Sequence, residues 1–301
     1  MKNRLETTLC GVKMKNPVIA ASGTFGFGDA YAAYFDAARL GGIAGKGLTL
    51  NGSLGNKGVR VWETPAGMLN SIGLENPGVR HFAETECHRM RALGTAVICN
   101  LGGHSEADYI EGGRLLNDAD MDILELNISC PNLKAGGMAF GMRAETAADI
   151  TAKVKAVTHF PLFVKLTPNA GDIVCVARAC EDAGADGLSL VNTFLGMAVD
   201  IQQRRAVFDN VYAGLSGPAI QPIALRMVHQ VCKAVRVPVM GMGGICDWQS
   251  ALAFLMAGAS AVQVGAATFA NPMAMCEIIE GLQRYCESEG LSNIGAIRGC
   301  L

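Results

Sequence analysis

The stretch "ELNISCPN" holds the first candidate for chemistry in this chain of 301 residues. Cys130 follows a short apolar run, precedes Pro131 and lies between Asn127 and Asn132. A thiol in this setting could be a packing residue, a metal ligand or a reacting group. Its place after a strand and in a glycine-rich loop strengthens the case for chemistry, because a thiolate is both nucleophile and proton acceptor. On these grounds alone, a packing role for Cys130 remains an alternative.

Cysteine spacing argues against a metal site. The chain has eleven cysteines but no C-x-x-C pair, and Cys175 and Cys180, the closest two, are five residues apart. His81 and His88, with Glu84 between them, could share a helix face, but no H-E-x-x-H motif is present. A solvated helix is the simpler interpretation of these three residues. We therefore expect no zinc or iron–sulfur site in this chain.

Two lysines follow apolar runs and are the next candidates. Lys165 lies in "FVKLTPN" and Lys46 in "AGKGLT". Desolvating an ammonium group is costly without an anionic partner, so a lysine at such a depth is seldom incidental. Each could form a Schiff base with a carbonyl substrate, or hold a fixed positive charge beside a cofactor.

The elements that must position these residues are short β-rich runs that alternate with amphipathic segments. The pattern predicts strands at 18–22, 43–46, 96–100, 123–127, 162–165, 187–192, 237–241 and 261–265. Helical patterns follow at 144–158, 172–183, 221–235, 248–256 and 272–289. Eight strand–helix units with strands apolar on nearly every residue predict a closed parallel sheet, a (β/α)8 or TIM barrel. We expect residues 1–301 to form one domain, because a barrel of this kind takes roughly 250 residues.

The ends of the predicted strands carry polar residues. In such barrels the functional site lies at the carboxyl ends of the strands. In chain order these ends are Ser22, Lys46, Asn100, Asn127, Lys165 and Asn192, followed by the glycines Gly243, Gly244 and Gly265. Two lysines and three asparagines around one mouth suit an anionic heteroaromatic ligand with carbonyl and imide groups. They suit a metal poorly, because no carboxylate stands at these ends.

The glycines of "GMGGI" and "QVGAA" follow the seventh and eighth strands, where barrels often bind phosphate. Glycine lets backbone N–H groups approach an anion closely, and the N-terminus of a following helix would add a favourable dipole. Three connections are long or rich in glycine: 48–76, 194–218 and 131–141. The first two are long enough to be functional, and the third has the composition of a mobile lid.

Composition excludes several classes of protein. The net charge is −2 and the pI about 6.2, so no basic surface for nucleic acid is indicated. Half of the residues are hydrophobic, yet no run of roughly 18 apolar residues indicates a membrane span. The polar start "MKNRLETTLCG" lacks the apolar core of a signal peptide, and an odd number of cysteines argues against a full set of disulfides. These features predict a cytoplasmic protein with reduced thiols.

Several motifs, in order along nearly the whole chain, resemble those of class 1 dihydroorotate dehydrogenases. They are "SGTFGFG", "LNSIGLENPG", "ELNISCPN", "VKLTPN", "VNT", "GLSGPA", "GMGGI" and "VGAATF". The runs "SGTFGFG" and "NISCPNLKAGGMAFG" are similar to those of the B type, a catalytic subunit that works with an electron-transfer partner. The resemblance implies an FMN-binding (β/α)8 barrel, with one FMN per chain, that oxidises dihydroorotate to orotate in pyrimidine biosynthesis. It also implies a homodimeric core in a heterotetramer, whose partner subunit carries FAD and a [2Fe–2S] cluster and passes electrons to NAD.

The resemblance assigns roles residue by residue. Cys130 resembles the catalytic base. The positions that resemble the orotate site are Lys46, Asn70, Ser71, Ile72, Gly73, Leu74, Asn127, Asn132, Asn192 and Thr193. The positions that match the flavin site are Ser22, Lys46, Asn100, Asn127, Lys165, Val191, Gly217, Gly243, Gly244, Gly265 and Ala266. The family usually has a Gly-Thr pair where this chain has Gly265 and Ala266, so backbone donors would replace a hydroxyl contact to the phosphate.

Three other interpretations remain. A dihydropyrimidine dehydrogenase-like flavoprotein would carry its cysteine in a similar loop, but those enzymes tend to have histidine where this chain has Asn132. An A-type dihydroorotate dehydrogenase would use fumarate and need no partner subunit. A barrel without catalytic activity, binding a phosphorylated ligand, would not need Cys130 and Lys165 together at the mouth.

Overall fold

Eight parallel strands close into a barrel in the computed structural model, which describes residues 3–129 and 138–301. In chain order the strands are β1 (Val18–Ala20), β2 (Gly42–Ala44), β3 (Ala96–Leu101), β4 (Ile123–Asn127), β5 (Leu162–Lys165), β6 (Gly187–Leu190), β7 (Val239–Met242) and β8 (Ala261–Val264). Each pairs in parallel with the next, and β8 pairs with β1. The predicted (β/α)8 barrel is therefore confirmed.

The strands read as apolar runs because both of their faces are buried. Every residue of the eight strands is buried, including Asn100, Glu125 and Lys165. The strands predicted at 123–127 and 162–165 have those bounds. Those predicted at 18–22, 43–46 and 187–192 end two residues earlier, because the parallel ladder stops there and the chain turns into the mouth. Ser22, Lys46 and Asn192 thus lie just beyond their strands.

Helices surround the barrel. The helices and helical turns are Asp29–Tyr31, Ala37–Arg39, Val79–His81, Phe82–Glu86, Cys87–Ala92, Glu106–Leu115, Leu116–Asp118, Met138–Gly141, Ala144–Lys155, Ile173–Asp182, Pro218–Ile220, Gln221–Cys232, Trp248–Met256, Ala267–Ala270, Ala274–Ser288 and Ile294–Ile297. Side-chain caps begin three of the longer ones, since Ser105, Asp172 and Asp247 each accept backbone N–H groups of the first turn. The helices predicted at 144–158 and 221–235 end three residues earlier, where the last turn tightens into i→i−3 bonds such as Ala234 N–H to Val231.

A hairpin near the N-terminus covers the end of the barrel opposite the mouth. Its strands, Thr7–Leu9 and Val12–Met14, pair antiparallel. Leu9 and Met14 pack in one apolar cluster with interior residues of the barrel such as Phe163 and Met240. This apolar cluster fills the lower part of the barrel, next to the hairpin. Polar groups therefore lie in the upper part, next to the mouth.

The two long connections build a second sheet, which the sequence did not predict. Strands Val61–Thr64 and Gly67–Asn70 come from the first connection, and Phe194–Met197 and Tyr212–Ser216 come from the second. They form one antiparallel sheet in which Gly67–Asn70 pairs with Tyr212–Ser216. A short hairpin, Val199–Asp200 with Arg205–Ala206, extends from the second connection. The sheet joins segments that are more than 120 residues apart, and it forms one side of the mouth.

Across the described ranges, no helix has the length and apolar character that crossing a bilayer would require.

Candidate active site

A cavity lies at the carboxyl ends of the barrel strands, bounded on one side by the second sheet. The residues of the predicted site that line it are Ser22, Lys46, Asn70, Ile72, Gly73, Leu74, Asn100, Asn127, Lys165, Val191, Asn192, Thr193, Gly217, Gly243, Gly244, Gly265 and Ala266. Val61 and Met68 of the second sheet add apolar surface to the same cavity. Residues far apart in the sequence thus meet in one place.

Ser71 is the described residue of the predicted site that does not line this cavity. Its side chain is buried, and its hydroxyl accepts N–H groups from the amides of Asn56 at 3.0 Å and Asn210 at 3.2 Å. Strand geometry explains this placement, because neighbouring residues in extended chain point to opposite sides. Asn70 faces the cavity, whereas Ser71 faces the loop that supports it.

Cys130 and Asn132 lie outside the described residues, and so does the predicted lid up to residue 137. The structure therefore does not test the role of the thiol. What it describes is the approach to it, where Asn127 ends β4 and Ser129 is fully buried.

The sequence interpretation missed Gln263, which lines the cavity, and Glu125, which contacts residues of the lining. Glu125 is fully buried in β4, and its Oε2 accepts from Asn100 Nδ2 at 2.6 Å and lies 3.4 Å from Lys165 Nζ. Its Oε1 accepts from Gln263 Nε2 at 2.6 Å. Strand alternation could have found it, because Glu125 stands two residues before Asn127 and so shares its face.

The charge of Glu125 is stabilised by these neighbours. Desolvation by burial acts to raise the pKa of the carboxyl group. The positive charge of Lys165 and the interactions with Ser189, Gln263 and Asn100 act in the opposite direction and outweigh it, so the pKa lies below the ordinary glutamate value. Lys165 also donates to Ser22 Oγ at 3.0 Å. The anionic partner that a buried lysine requires is therefore present inside the barrel.

A chain of hydrogen bonds runs from Glu125 to the far side of the mouth, and we call it the amide relay: Asn100, Asn127, Ser129 and Asn192. Asn127 Nδ2 donates to Asn100 Oδ1 at 3.1 Å, and the Ser129 hydroxyl donates to Asn127 Oδ1 at 2.9 Å. Asn192 Nδ2 donates to Ser129 Oγ at 2.7 Å. Every donor points toward Glu125, as expected when the last acceptor is a carboxylate that cannot donate. Each amide keeps a second N–H, so the mouth can offer donors to carbonyl or carboxylate oxygens.

The loop 70–74 forms another part of the cavity wall. Asn56 N–H donates to Ile72 O at 2.9 Å, and Gly73 has a φ of +76°. A Cβ atom at Gly73 would lie 2.5 Å from Asn56 Oδ1, so only glycine fits this turn. Leu74 follows with a positive φ of 52°. Asn56 and Gly73 thus fix the backbone that presents Asn70 and Ile72 to the cavity.

The glycines after β7 form a tight cradle. Gly243 and Gly244 have φ values of +125° and +75°, and Gly217 beside them has +100°. A Cβ at Gly244 would lie 2.8 Å from both Gln221 N and Gly217 O. Such backbone, free of side chains, lets N–H groups approach an anion closely.

The helices that directly follow Gly244 and Ala266 are poorly placed to add a dipole at this cradle. The helix after Ala266, Ala267–Ala270, has only four residues, and the helix after Gly244 begins at Trp248. The dipole acts mainly within the first turn of a helix, and the longer helix Gln221–Cys232 does begin beside Gly244. The glycine backbone and the N-terminus of this helix therefore both offer N–H donors at this end.

The cavity suits a phosphorylated heteroaromatic cofactor such as FMN. The glycine cradle fits a phosphate at one end, and Lys165 and Asn100 offer positive charge and N–H donors at the barrel centre. Gln263 supplies a further indication, because its Oε1 is buried and has no hydrogen-bond partner among the described residues. A buried acceptor of this kind is costly unless a ligand or water satisfies it. A metal fits poorly, since the described parts of the chain contain no group of three or more histidine, cysteine or carboxylate side chains placed to hold one.

Fold and site together define a (β/α)8-barrel protein with a polar, glycine-cradled mouth. The family model for dihydroorotate dehydrogenase matches residues 4–286, and the chain belongs to this family. Proteins named dihydroorotate dehydrogenase B (NAD(+)), catalytic subunit, are similar to it over nearly their whole length. The one from Petrotoga mobilis is 52% identical over 98% of this chain and 99% of its own. Those from Thermoanaerobacter pseudethanolicus and Bacteroides thetaiotaomicron are 50% and 46% identical over 99% of this chain and 98% of their own. The resemblance to the class 1 enzymes of the B type is thereby confirmed.

Proposed function

We propose that this chain is the catalytic subunit of a B-type dihydroorotate dehydrogenase. It oxidises (S)-dihydroorotate to orotate in pyrimidine biosynthesis, and electrons pass through a partner subunit to NAD. The observation that carries the proposal is the near full-length similarity, 46–52% identity, to relatives that share this name. None of these relatives is named as a fumarate-dependent A-type enzyme or as a dihydropyrimidine dehydrogenase.

The cavity residues divide between the two ligands. FMN, when bound, accepts the hydride that leaves C6 of the substrate. The residues that would hold it are Ser22, Lys46, Asn100, Asn127, Lys165, Val191, Gly217, Gly243, Gly244, Gly265 and Ala266. Of these, Lys165 supplies positive charge at the barrel centre, where Glu125 keeps it paired. The glycine cradle supplies backbone donors to the phosphate.

The substrate would lie among the amides and the loop 70–74. Lys46 offers a charge for the orotate carboxylate, and Asn70, Asn127 and Asn192 offer N–H donors to the pyrimidine carbonyl groups. Ile72, Gly73, Leu74, Asn132 and Thr193 complete the proposed substrate site, and Ser71 supports it from behind. Cys130 is the proposed base that takes the proton from C5.

The assembly and compartment follow from the same proposal. The partner subunit would carry FAD and a [2Fe–2S] cluster, and a homodimer of this chain would form the core of a heterotetramer. Residues 1–301 act as one FMN-binding barrel domain. We assign the protein to the cytoplasm because all ten cysteines of the described residues are free thiols, as a reducing compartment favours.

Anaerobic reduction tests this proposal directly. The purified chain should be yellow and should lose its absorbance in the visible range when dihydroorotate is added without air. The chain alone should transfer no electrons to fumarate, and NAD reduction should require co-expression with the partner subunit. Bleaching by dihydrouracil in place of dihydroorotate, or rapid turnover of the lone chain with fumarate, would point to one of the two alternative enzymes.

A further inference from the structure

We propose that Glu125 is a positioning residue, which holds Lys165, Asn100 and Gln263 in place from inside the barrel. This inference rests on the proposed function, because it concerns how those three side chains meet FMN. Glu125 itself does not line the cavity, whereas all three of its partners do. It acts on a ligand only through them.

The geometry of the carboxylate supports this role. Lys165, Asn100 and Gln263 come from three different strands, β5, β3 and β8, and Glu125 from a fourth, β4. Oε2 is shared by Asn100 and Lys165, and Oε1 binds Gln263. One side chain thus sets the mutual positions of three donors around the barrel axis.

Among the described contacts, no other side chain joins Lys165, Asn100 and Gln263. Within the described part of the chain, Ser22 is the one further hydrogen-bond partner of Lys165, and Ser22 lies on a loop beyond β1. Asn100 is held on its other side by Asn127, so a shift of Asn100 would pass along the amide relay toward Asn192. An acceptor-only group at the start of the relay also fixes which atom of the Asn100 amide faces Asn127. Glu125 therefore influences the positions of side chains at both ends of the cavity.

The test is a double-mutant cycle on FMN affinity. Glu125→Gln keeps the size of the side chain but removes its charge, and we expect the Kd for FMN to rise about tenfold, as for the loss of a charge-assisted hydrogen bond. In a Lys165→Met background the same substitution should have a clearly smaller effect, because the part of the role that passes through Lys165 is already lost while Asn100 and Gln263 remain. The Kd is measured by fluorescence titration of the apoprotein, with the melting temperature recorded for each variant.

Two further variants separate positioning from charge and from general stability. Glu125→Asp keeps the charge but withdraws the carboxylate by one methylene, so the Kd for FMN should still rise; a Kd equal to that of the wild type would overturn the positioning role. Glu125→Asp therefore still tests the positioning role if one variant of the double-mutant cycle fails to fold. Glu86→Gln is the matched control, since Glu86 is a buried carboxylate that pairs with Arg89 away from the cavity. It should leave the Kd unchanged.

The outcomes distinguish this inference from the proposed function. If the wild-type chain binds no FMN, the proposed function fails first. If the wild type binds FMN and is bleached by dihydroorotate, but the effects of Glu125→Gln and Lys165→Met simply add, only the positioning role of Glu125 is wrong.

Discussion

Lys165 Nζ lies 3.4 Å from Glu125 Oε2 in the upper part of the barrel, where the two side chains are 5% and 0% exposed. Both charges are desolvated, and the attraction between them offsets the free-energy cost of that desolvation. Removing one partner of a buried pair is far more destabilising than removing both, because a lone buried charge remains.

Lys165→Met should lower the free energy of unfolding by about 3–5 kcal/mol, since it leaves Glu125 without its counter-charge. The double variant Glu125→Gln with Lys165→Met should recover part of that loss. Urea unfolding followed by circular dichroism measures both. Equal losses in the single and the double variant would mean that the pair contributes no charge compensation.

The lowered pKa of Glu125 makes stability depend on pH. A carboxyl group whose pKa is lower in the folded than in the unfolded protein stabilises the fold above its unfolded pKa, about 4.3. That contribution is lost as the pH falls through the folded pKa. The stability advantage of the wild type over Glu125→Gln should therefore be constant near neutral pH and shrink below about pH 4. Unfolding midpoints measured between neutral pH and pH 3 test this, and a constant difference would contradict it.

Two glycines of the mouth should respond differently to alanine. Gly244 has a positive φ and no space for a Cβ, so Gly244→Ala should destabilise the fold by about 1–3 kcal/mol. At Gly265 a Cβ would meet only ordinary contacts, the nearest at 3.5 Å, so Gly265→Ala should fold normally. It should nevertheless weaken FMN binding, because the new methyl group enters the cavity. Thermal melts and FMN titration separate the two effects, with Gly171→Ala as control, since a Cβ there meets nothing within 4 Å.

Asn70 and Ser71 offer a contrast between lining and supporting the cavity. Asn70→Ala should raise the orotate Kd by roughly tenfold through the loss of a donor to the ligand. Ser71→Ala should instead lower the free energy of unfolding by about 1 kcal/mol, since the amides of Asn56 and Asn210 each lose an acceptor. Orotate titration of the flavin spectrum and urea unfolding measure the two quantities. The reverse pattern would put Ser71 at the ligand.

Cys130→Ser should retain FMN and orotate binding but oxidise dihydroorotate slowly, because a serine hydroxyl is a far poorer proton acceptor than a thiolate. The rate of flavin reduction in the wild type should rise with pH through the thiol pKa, ordinarily about 8.5. Stopped-flow reduction between pH 6 and 9 tests both expectations. Cys175→Ser, at an exposed cysteine, is the control and should behave as the wild type. A flat profile, with the chemical step limiting, would exclude the thiol as base.

The sequence alone determined the barrel. Continuous apolar strands separated by amphipathic helices leave few other solutions, because a parallel strand buried on both faces needs helices around it. Strand alternation and the rule that sites form at the carboxyl ends of strands were enough to bring Lys46, Asn100, Lys165 and Asn192 to one mouth.

What only the tertiary structure decided depends on contacts between distant segments. The second sheet pairs Gly67–Asn70 with Tyr212–Ser216, and no local pattern in either connection names its partner. Glu125 looked like one charge within an apolar strand until the closed barrel brought Asn100, Lys165 and Gln263 around it. Periodicity fixes which way a side chain points along its own strand, whereas the groups that it meets are fixed by the closure of the barrel and by long-range packing.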